Sequence, residues 1–374
     1  MGTEIKKMEN RVSRRQLLIG AGCVGAAAAL TGIEEIVRLR KAPAVGRHFT
    51  LTVSTWGGVT QDSIKAYVEP EFRRQTGATI AYDIGSQGAR MNKLLAQRDD
   101  PPADVFFSTD EIVVAGYNAD ILAPFERRLV PNAAQLADWS HTVRRFNTDS
   151  TLPGIPYSLI AYLLAYNPEI VKERPTSWAD MWRPEFRGKL AFASPLHSQM
   201  PAFVITAAEI AGGSAENVDV GFAKLAELKP LKLTLFWTDW AALDKTGDAT
   251  LGTEFDYYLQ MMKKDNYPIE FVVPKEKGFG CPEYASVVKG TKNAEISAVF
   301  LNLLIEPKVQ EAFALNTYQT PVNKAVQLTA DQKVRCGCGG PVEQLRFFDP
   351  SLFVDKRPVW TERMNTEVLP KWQT

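Results

Sequence analysis

Between residues 50 and 123 the chain alternates three times between a short β-rich run and a helical pattern, and this alternation restricts its fold more than any other feature. Leu51–Thr55 is rich in β-formers and breaks at Trp56-Gly57-Gly58. In the stretch that follows, Ile64, Val68 and Phe72 recur at i, i+4 and i+8, giving one apolar helix face, and Gly77 stands at the expected stop. Thr79–Ile84 alternates apolar and polar residues and ends in Gly85-Ser86-Gln87-Gly88, ahead of a helix with Met91, Leu94 and Leu95 inward. Ala103–Phe107 reads as a third strand, Ser108-Thr109-Asp110 as its exit, and Glu111–Ala119 as a third helix. Three such units in a row make an α/β protein with a mainly parallel sheet flanked by helices. In sheets of this kind ligands bind beyond the carboxyl ends of the strands. Those ends supply the first candidate site residues: Trp56, Gly57, Gly58, Ser86, Ser108, Thr109 and Asp110. An aromatic face beside the N–H groups of a helix start suits a small ligand. Trp56 could equally lie buried under its helix, and Asp110 could equally cap one.

A second series follows. Ser158–Asn167 is apolar almost throughout and reads as a buried strand leaving one domain for another, with a core helix as the alternative. Ser177 and Asp180 have capping-box spacing for a short helix. Lys189–Ser194 is a strand with Ser194–Gln199 as its exit loop, followed by a helix from Met200 to Ala211 and another near Phe222–Leu228. Leu231–Trp237 is a strand ending in Trp237-Thr238-Asp239-Trp240, Glu254–Lys264 a helix, Ile269–Val273 a strand and Pro274–Gly280 a return crossing. Ile296, Val299, Phe300, Leu303 and Leu304 mark the clearest amphipathic helix, and Trp360–Trp372 a docked one. The candidates here are Ser194, His197 and Ser198, whose hydroxyls and helix start suit an anionic or neutral polar ligand. Trp237, Asp239 and Trp240 form an aromatic–carboxylate–aromatic set suited to a cation, with one of the two tryptophans in the core. Glu254, Asp256 and Tyr257 face either a cleft or solvent, and Tyr284 completes the set.

Composition excludes several classes. The 43 basic and 43 acidic residues cancel, and no polybasic patch or basic-aromatic stripe occurs, which argues against a nucleic-acid partner. No hydrolase, metalloprotease, dinucleotide or phosphate-loop motif is present, so neither an enzyme nor a cofactor is expected. The chain has 3 histidines, none near Cys336 and Cys338 in sequence; a loop disulfide to Cys281, or no function, is the leading reading of these cysteines, and a metal or redox site the minor one. Residues 1–44 resemble a twin-arginine export signal: Arg14-Arg15 precede an apolar, Gly/Ala-rich run from Leu17 to about Ile33, and Ala42-Pro43-Ala44 has the form of a cleavage site. An earlier cut, an uncut anchor and a lipid site at Cys23 are the alternatives. Roughly 330 residues remain, enough for two cores, as a monomer outside the cytoplasm.

Ser54-Thr55-Trp56-Gly57-Gly58, the run PTSWADMWRPEFRGKL at 175–190, Glu306–Phe313 with Thr320–Asn323, and Trp360–Asn365 together resemble the periplasmic solute-binding proteins of ABC importers, in the branch that includes the spermidine/putrescine binders. The likeness spans about 50 to 370. It implies a two-lobed type II fold with residues 46–152 in lobe 1, 153–273 in lobe 2, and 274–374 as return crossing, the rest of lobe 1 and C-terminal helices. It further implies a small polar or cationic solute held between the lobes and handed to an inner-membrane permease. Trp56 matches an aromatic of the polyamine binders, whereas Val59 and Ser194–Ser198 depart from their aromatic and acidic positions. A carboxylate, a zwitterion, ferric iron or an oxyanion are therefore alternative ligands.

Overall fold

The computed structural model describes residues 49–234, 237–337 and 341–372, without the side chains of Trp237 and Thr238. The export-signal reading of residues 1–44, Cys23 and Cys338 lie outside the described residues.

Strands β1 (Thr50–Thr55), β2 (Thr79–Ile84) and β3 (Val105–Thr109) alternate with helices as expected, β1 pairing in parallel with both β2 and β3. Helix α1 comprises Gly58–Ser63 and Glu69–Thr76 joined by a π turn at Ile64–Val68, and Gly77 ends it in the left-handed region at φ 72. Ile64, Val68 and Phe72 are fully buried, so the apolar stripe faces the sheet. Helices α2 (Gln87–Ala96) and α3 (Asp110–Asn118) complete the first series. The short strands β4 (Leu122–Ala123), β5 (Phe125–Glu126) and β6 (Thr151–Leu152) lead to β7 (Ile155–Tyr166), which is buried at all of its 12 positions. This is the run read above as a crossing strand or a core helix; it is the strand. Covered on both faces, it has no need for polar alternation.

The second series runs β8 (Leu190–Ala193), α4 (Met200–Ile210), α5 (Asp219–Ala226), β9 (Lys232–Thr234), α6 (Trp237–Thr246), β10 (Leu251–Phe255), α7 (Asp256–Lys264) and β11 (Glu270–Val272). The return crossing is β12 (Gly278–Val288), followed by α8 (Ala294–Leu304), α9 (Pro307–Thr317), α10 (Ala330–Arg335) and β13 (Leu345–Arg346). The C-terminal helix α11 starts at Pro350, ten residues before the expected Trp360, and continues through a π turn at Met364–Val368 to Trp372. The Ser177–Asp180 capping box forms, on a 3-10 helix. Two expectations fail. Trp237–Trp240 is the first turn of α6 rather than an exit loop, and Glu254 ends a strand rather than opening a helix. Strand β10 escapes a pattern search because it is 5 residues long and contains Gly252 and Glu254.

Among the described residues one sheet runs in the order β2-β1-β3-β12-β7-β10-β8-β9, a type II binding-protein architecture. In it β7 and β12 pair antiparallel from Ile155↔Ala285 to Tyr162↔Phe279 and bind the two halves together. Phe72, Val105, Phe107, Tyr157, Phe300 and Phe313 form one core beside β1–β3. Tyr162, Trp178, Phe192, Phe203 and Phe279 form another beside β8–β10, which also takes in Trp360, Met364, Val368 and Trp372 of α11. The tail is thus anchored on the second half. Cys281 and Cys336 are buried free thiols, so the disulfide between them does not form. Among the described residues no helix is long and apolar enough to cross a membrane.

Candidate ligand-binding cleft

The exits of the first three strands are built as a unit. Trp56 is half-buried and packs edge-on against Phe107, with ring centroids 6.5 Å apart. Gly57 has φ 85, and a Cβ there would stand 2.8 Å from Ile84 Cγ2, so the chain can turn only without a side chain. Gly58 then opens α1. Ser86 Oγ caps α2 by accepting from Ala89 N at 3.4 Å, and Thr109 N donates to Gln87 Oε1 at 2.9 Å, tying one exit to the next. Arg90 reaches from α2 to the ends of all three strands: Nε donates to Gly85 O, and Nη1 to Ser54 O and Phe107 O, each at 2.9 Å. Its guanidinium lies 5.1 Å from the Trp56 ring. Ser108 is fully buried. Asp110 is the first residue of α3, behind an N-cap at Thr109 that makes no side-chain cap bond; its Oδ1 accepts from Glu111 N and its Oδ2 from Thr142 Oγ1, both at 2.8 Å. Burial, reinforced by Glu111, raises its pKa to about 7.

On the opposite half, Ser194 Oγ accepts from Leu196 N at 3.3 Å, and His197 Nδ1 from Gln199 N at 3.1 Å. The His197 ring packs on Tyr162 with centroids 4.8 Å apart. Its burial, with Arg357 nearby, lowers its pKa to about 3, so it is neutral at physiological pH. The carbonyls of His197 and Ser198 accept from Arg357 of α11 at 3.2 and 2.8 Å, and the same guanidinium pairs with Glu111. This corrects the expectation of an anion-binding helix start: the loop's carbonyls face a cation, and the Leu196 and Gln199 N–H groups are bonded within it. Asp239 is half-buried in the first turn of α6. Trp240 is fully buried in the core, where a Cβ on Gly252 would stand 1.3 Å from its Nε1. Tyr284 is also core; its hydroxyl donates to Ser140 O at 2.8 Å. Both are packed side chains of the core. The Trp237 side chain lies outside the described ones.

The middle of the crossing strands holds a group that pattern reading caught only in part. Glu283 of β12 is 5 % exposed and accepts from Ser158 Oγ at 2.7 Å and Tyr157 Oη at 3.1 Å. Asp256, at the start of α7, is fully buried; its Oδ1 accepts from Ala161 N at 3.0 Å and Tyr257 N at 2.8 Å, while Oδ2 meets no donor. Glu254 is 4 % exposed, with Oε1 accepting from Phe255 N at 2.7 Å. Among the described residues none of the three carboxylates has a salt bridge. Burial raises all three pKa values, that of Glu254 to about 8, with Asp239 adding, and that of Asp256 to about 7, with Glu283 adding. Tyr257 and Tyr258 stack beside them with centroids 3.9 Å apart. Glu283 was legible only as an acid within an otherwise apolar strand, and Arg90 as a basic residue on an amphipathic helix.

A mixed α/β sheet whose two halves are joined by crossing strands, with polar strand ends at the junction, defines a binding protein. Residues 100–335 match the bacterial extracellular solute-binding protein family, and the chain belongs to it. It is 24 % identical over 347 residues to the gamma-aminobutyric acid-binding protein of Pseudomonas aeruginosa, covering 87 % of this chain and 92 % of that one. It is 24 % identical to spermidine/putrescine-binding periplasmic protein 1 of Haemophilus influenzae (71 % and 73 % covered). It is also 24 % identical to a putative 2-aminoethylphosphonate-binding periplasmic protein of Salmonella typhimurium (68 % and 73 % covered). The crystal structure of an ABC transporter protein from Clostridium perfringens superposes with a TM-score of 0.73 at 24 % identity, covering 85 % of this chain and 99 % of that one. As a member of that family the chain is an extracellular solute-binding protein.

Proposed function

We propose that the solute carries a primary ammonium group and is held between the lobes by Glu283, Asp256 and Glu254, with Trp56 and the Tyr257–Tyr258 pair as apolar walls. The observation that carries this reading is three buried acids with no basic partner among the described residues. Buried carboxylates are costly unless paired, and an ammonium would balance them. The named ligands of the three relatives (gamma-aminobutyric acid, spermidine or putrescine, and 2-aminoethylphosphonate) share a primary amine, which supports it. In this reading residues 46–152 and 153–273 form the bulk of the two lobes, β7 and β12 act as the hinge, and closure removes the ammonium from water. The ligand's preference for the closed state is then the signal to the permease. The chain acts as a monomer, exported by the twin-arginine route that Arg14-Arg15 indicate.

Thermal unfolding with added putrescine, 4-aminobutyrate, 2-aminoethylphosphonate and the amine-free succinate tests the reading. A bound amine at a hundred times its Kd adds about 2.7 kcal/mol of stability. Stabilisation by succinate equal to that by every amine, or by no amine at all, would overturn it.

A further inference from the structure

Arg90 is the only Lys or Arg among the described residues that is fully buried, at 2 % exposure. A buried guanidinium ordinarily meets a carboxylate; this one meets three strand-end carbonyls and Ser54 Oγ, which lies 3.3 Å from Nη1. Ser54 passes the contact on to Asp83 Oδ2 at 2.9 Å, but Asp83 already pairs with Lys93 at 2.7 Å. The Arg90 charge is therefore not cancelled by direct contact. Its Nη2 has no acceptor, and neither Ser108 Oγ nor Thr55 Oγ1, both fully buried at the ends of β3 and β1, has a partner. The Arg90 N–H and the Ser108 hydroxyl, on the sheet face where Arg90 packs on Phe106, are donors that suit anionic oxygens.

This positive centre lies close to the acidic one. Phe107, whose carbonyl accepts from Arg90, packs its ring at a tilt against Tyr157 with centroids 4.8 Å apart, and Tyr157 Oη donates to Glu283. Phe107 and Tyr157 thus lie between the buried cation and Glu283. We propose that Arg90, with Ser108, makes the wall of the first lobe an anion-recognising subsite, so that the solute is a short zwitterion with its ammonium toward Glu283 and its acid group toward Arg90. This rests on the amine reading and narrows it. A diamine of the same length would set a second cation against Arg90, and two like charges at low dielectric repel strongly. The same guanidinium positions the site by bracing the three exit loops and one face of Trp56.

Calorimetric titration of the full chain with 4-aminobutyrate, 2-aminoethylphosphonate and putrescine tests the proposal, on the wild type, Arg90→Gln and Arg90→Lys. The wild type is expected to bind at least one zwitterion about tenfold or more tightly than putrescine. Which zwitterion binds tells carboxylate from phosphonate. Arg90→Gln should erase that preference by weakening the zwitterions several-fold more than putrescine, and Arg90→Lys should keep part of it. Equal weakening of all three ligands by Arg90→Gln would reduce Arg90 to a brace and overturn the proposal. So would putrescine matching the zwitterions in the wild type, a comparison that stands even if the Gln variant does not fold. In that last case the amine reading survives, whereas failure of all three compounds to bind removes both.

Discussion

Single side chains decide what the cleft can hold. Glu283→Gln keeps an acceptor for Tyr157 and Ser158 and removes only the charge, so it should weaken amine binding about thirtyfold or more without lowering stability. Calorimetry with a matched thermal melt separates the two effects. Trp56→Ala should cost binding about 1–2 kcal/mol through lost apolar contact and cation–π attraction, again with the fold intact. Asp256 gives a pH signature. Its folded pKa of about 7 exceeds the unfolded carboxylate value of about 4. The stability it contributes is thus complete below about pH 4 and is lost as pH rises through 7. Asp256→Asn retains the acceptor for Ala161 N and Tyr257 N and escapes this loss. The melting temperature of the variant should overtake that of the ligand-free wild type between about pH 5 and 8, and a difference independent of pH would contradict the assignment. Asp110 was readable as an acid at a strand exit and Asp256 as an acid on a helix facing a cleft or solvent. That one bonds Thr142 and the other lies across the crossing strands with a free oxygen was not, since the distinction depends on Thr142 and Ala161, distant in sequence.

Secondary-structure elements show where periodicity suffices. The α1 stripe was recovered because it repeats over enough residues to exclude the alternatives, whereas the β7 run, apolar throughout, left a core helix open until the assembled sheet decided for the strand. Strand β10 was missed: Thr253 and Glu254 are polar, yet both are buried by their neighbours in the sheet. Its Gly252 makes room for Trp240. A methyl group at this position would stand only 1.3 Å from the indole Nε1, so Gly252→Ala must displace the ring or the strand. Overpacking of this kind costs about 3 kcal/mol or more, which urea denaturation would register as a lower midpoint at unchanged slope. The same contact explains why Trp240 is core even though an aromatic next to Asp239 looked like half of a cation cage.

Across the whole molecule, α11 ties the halves together. It is anchored on the second half by Trp360 and Trp372, and Arg357 bridges Glu111 of α3 and the 197–198 carbonyls that precede α4. Arg357→Ala leaves Glu111 buried without its partner and should cost about 1–3 kcal/mol in thermal unfolding. It should also shift small-angle scattering of the ligand-free protein toward a more open form. A ligand that pulls the halves together should reverse that shift, and superimposable profiles with and without a tight-binding amine would count against hinge closure.

Periodicity and local motifs are written in neighbouring residues, and they were enough for the α/β class, the parallel arrangement of the first three strands and the family likeness, but not to choose strand over helix for β7. Which polar groups share one space was settled only when the sheet was assembled. Arg90 joins the ends of strands that are tens of residues apart, Glu283 and Asp256 meet across β7, and the expected anion loop is already engaged by a guanidinium from the last helix. Burial and charge balance depend on residues brought together from distant parts of the chain, and no local pattern encodes them.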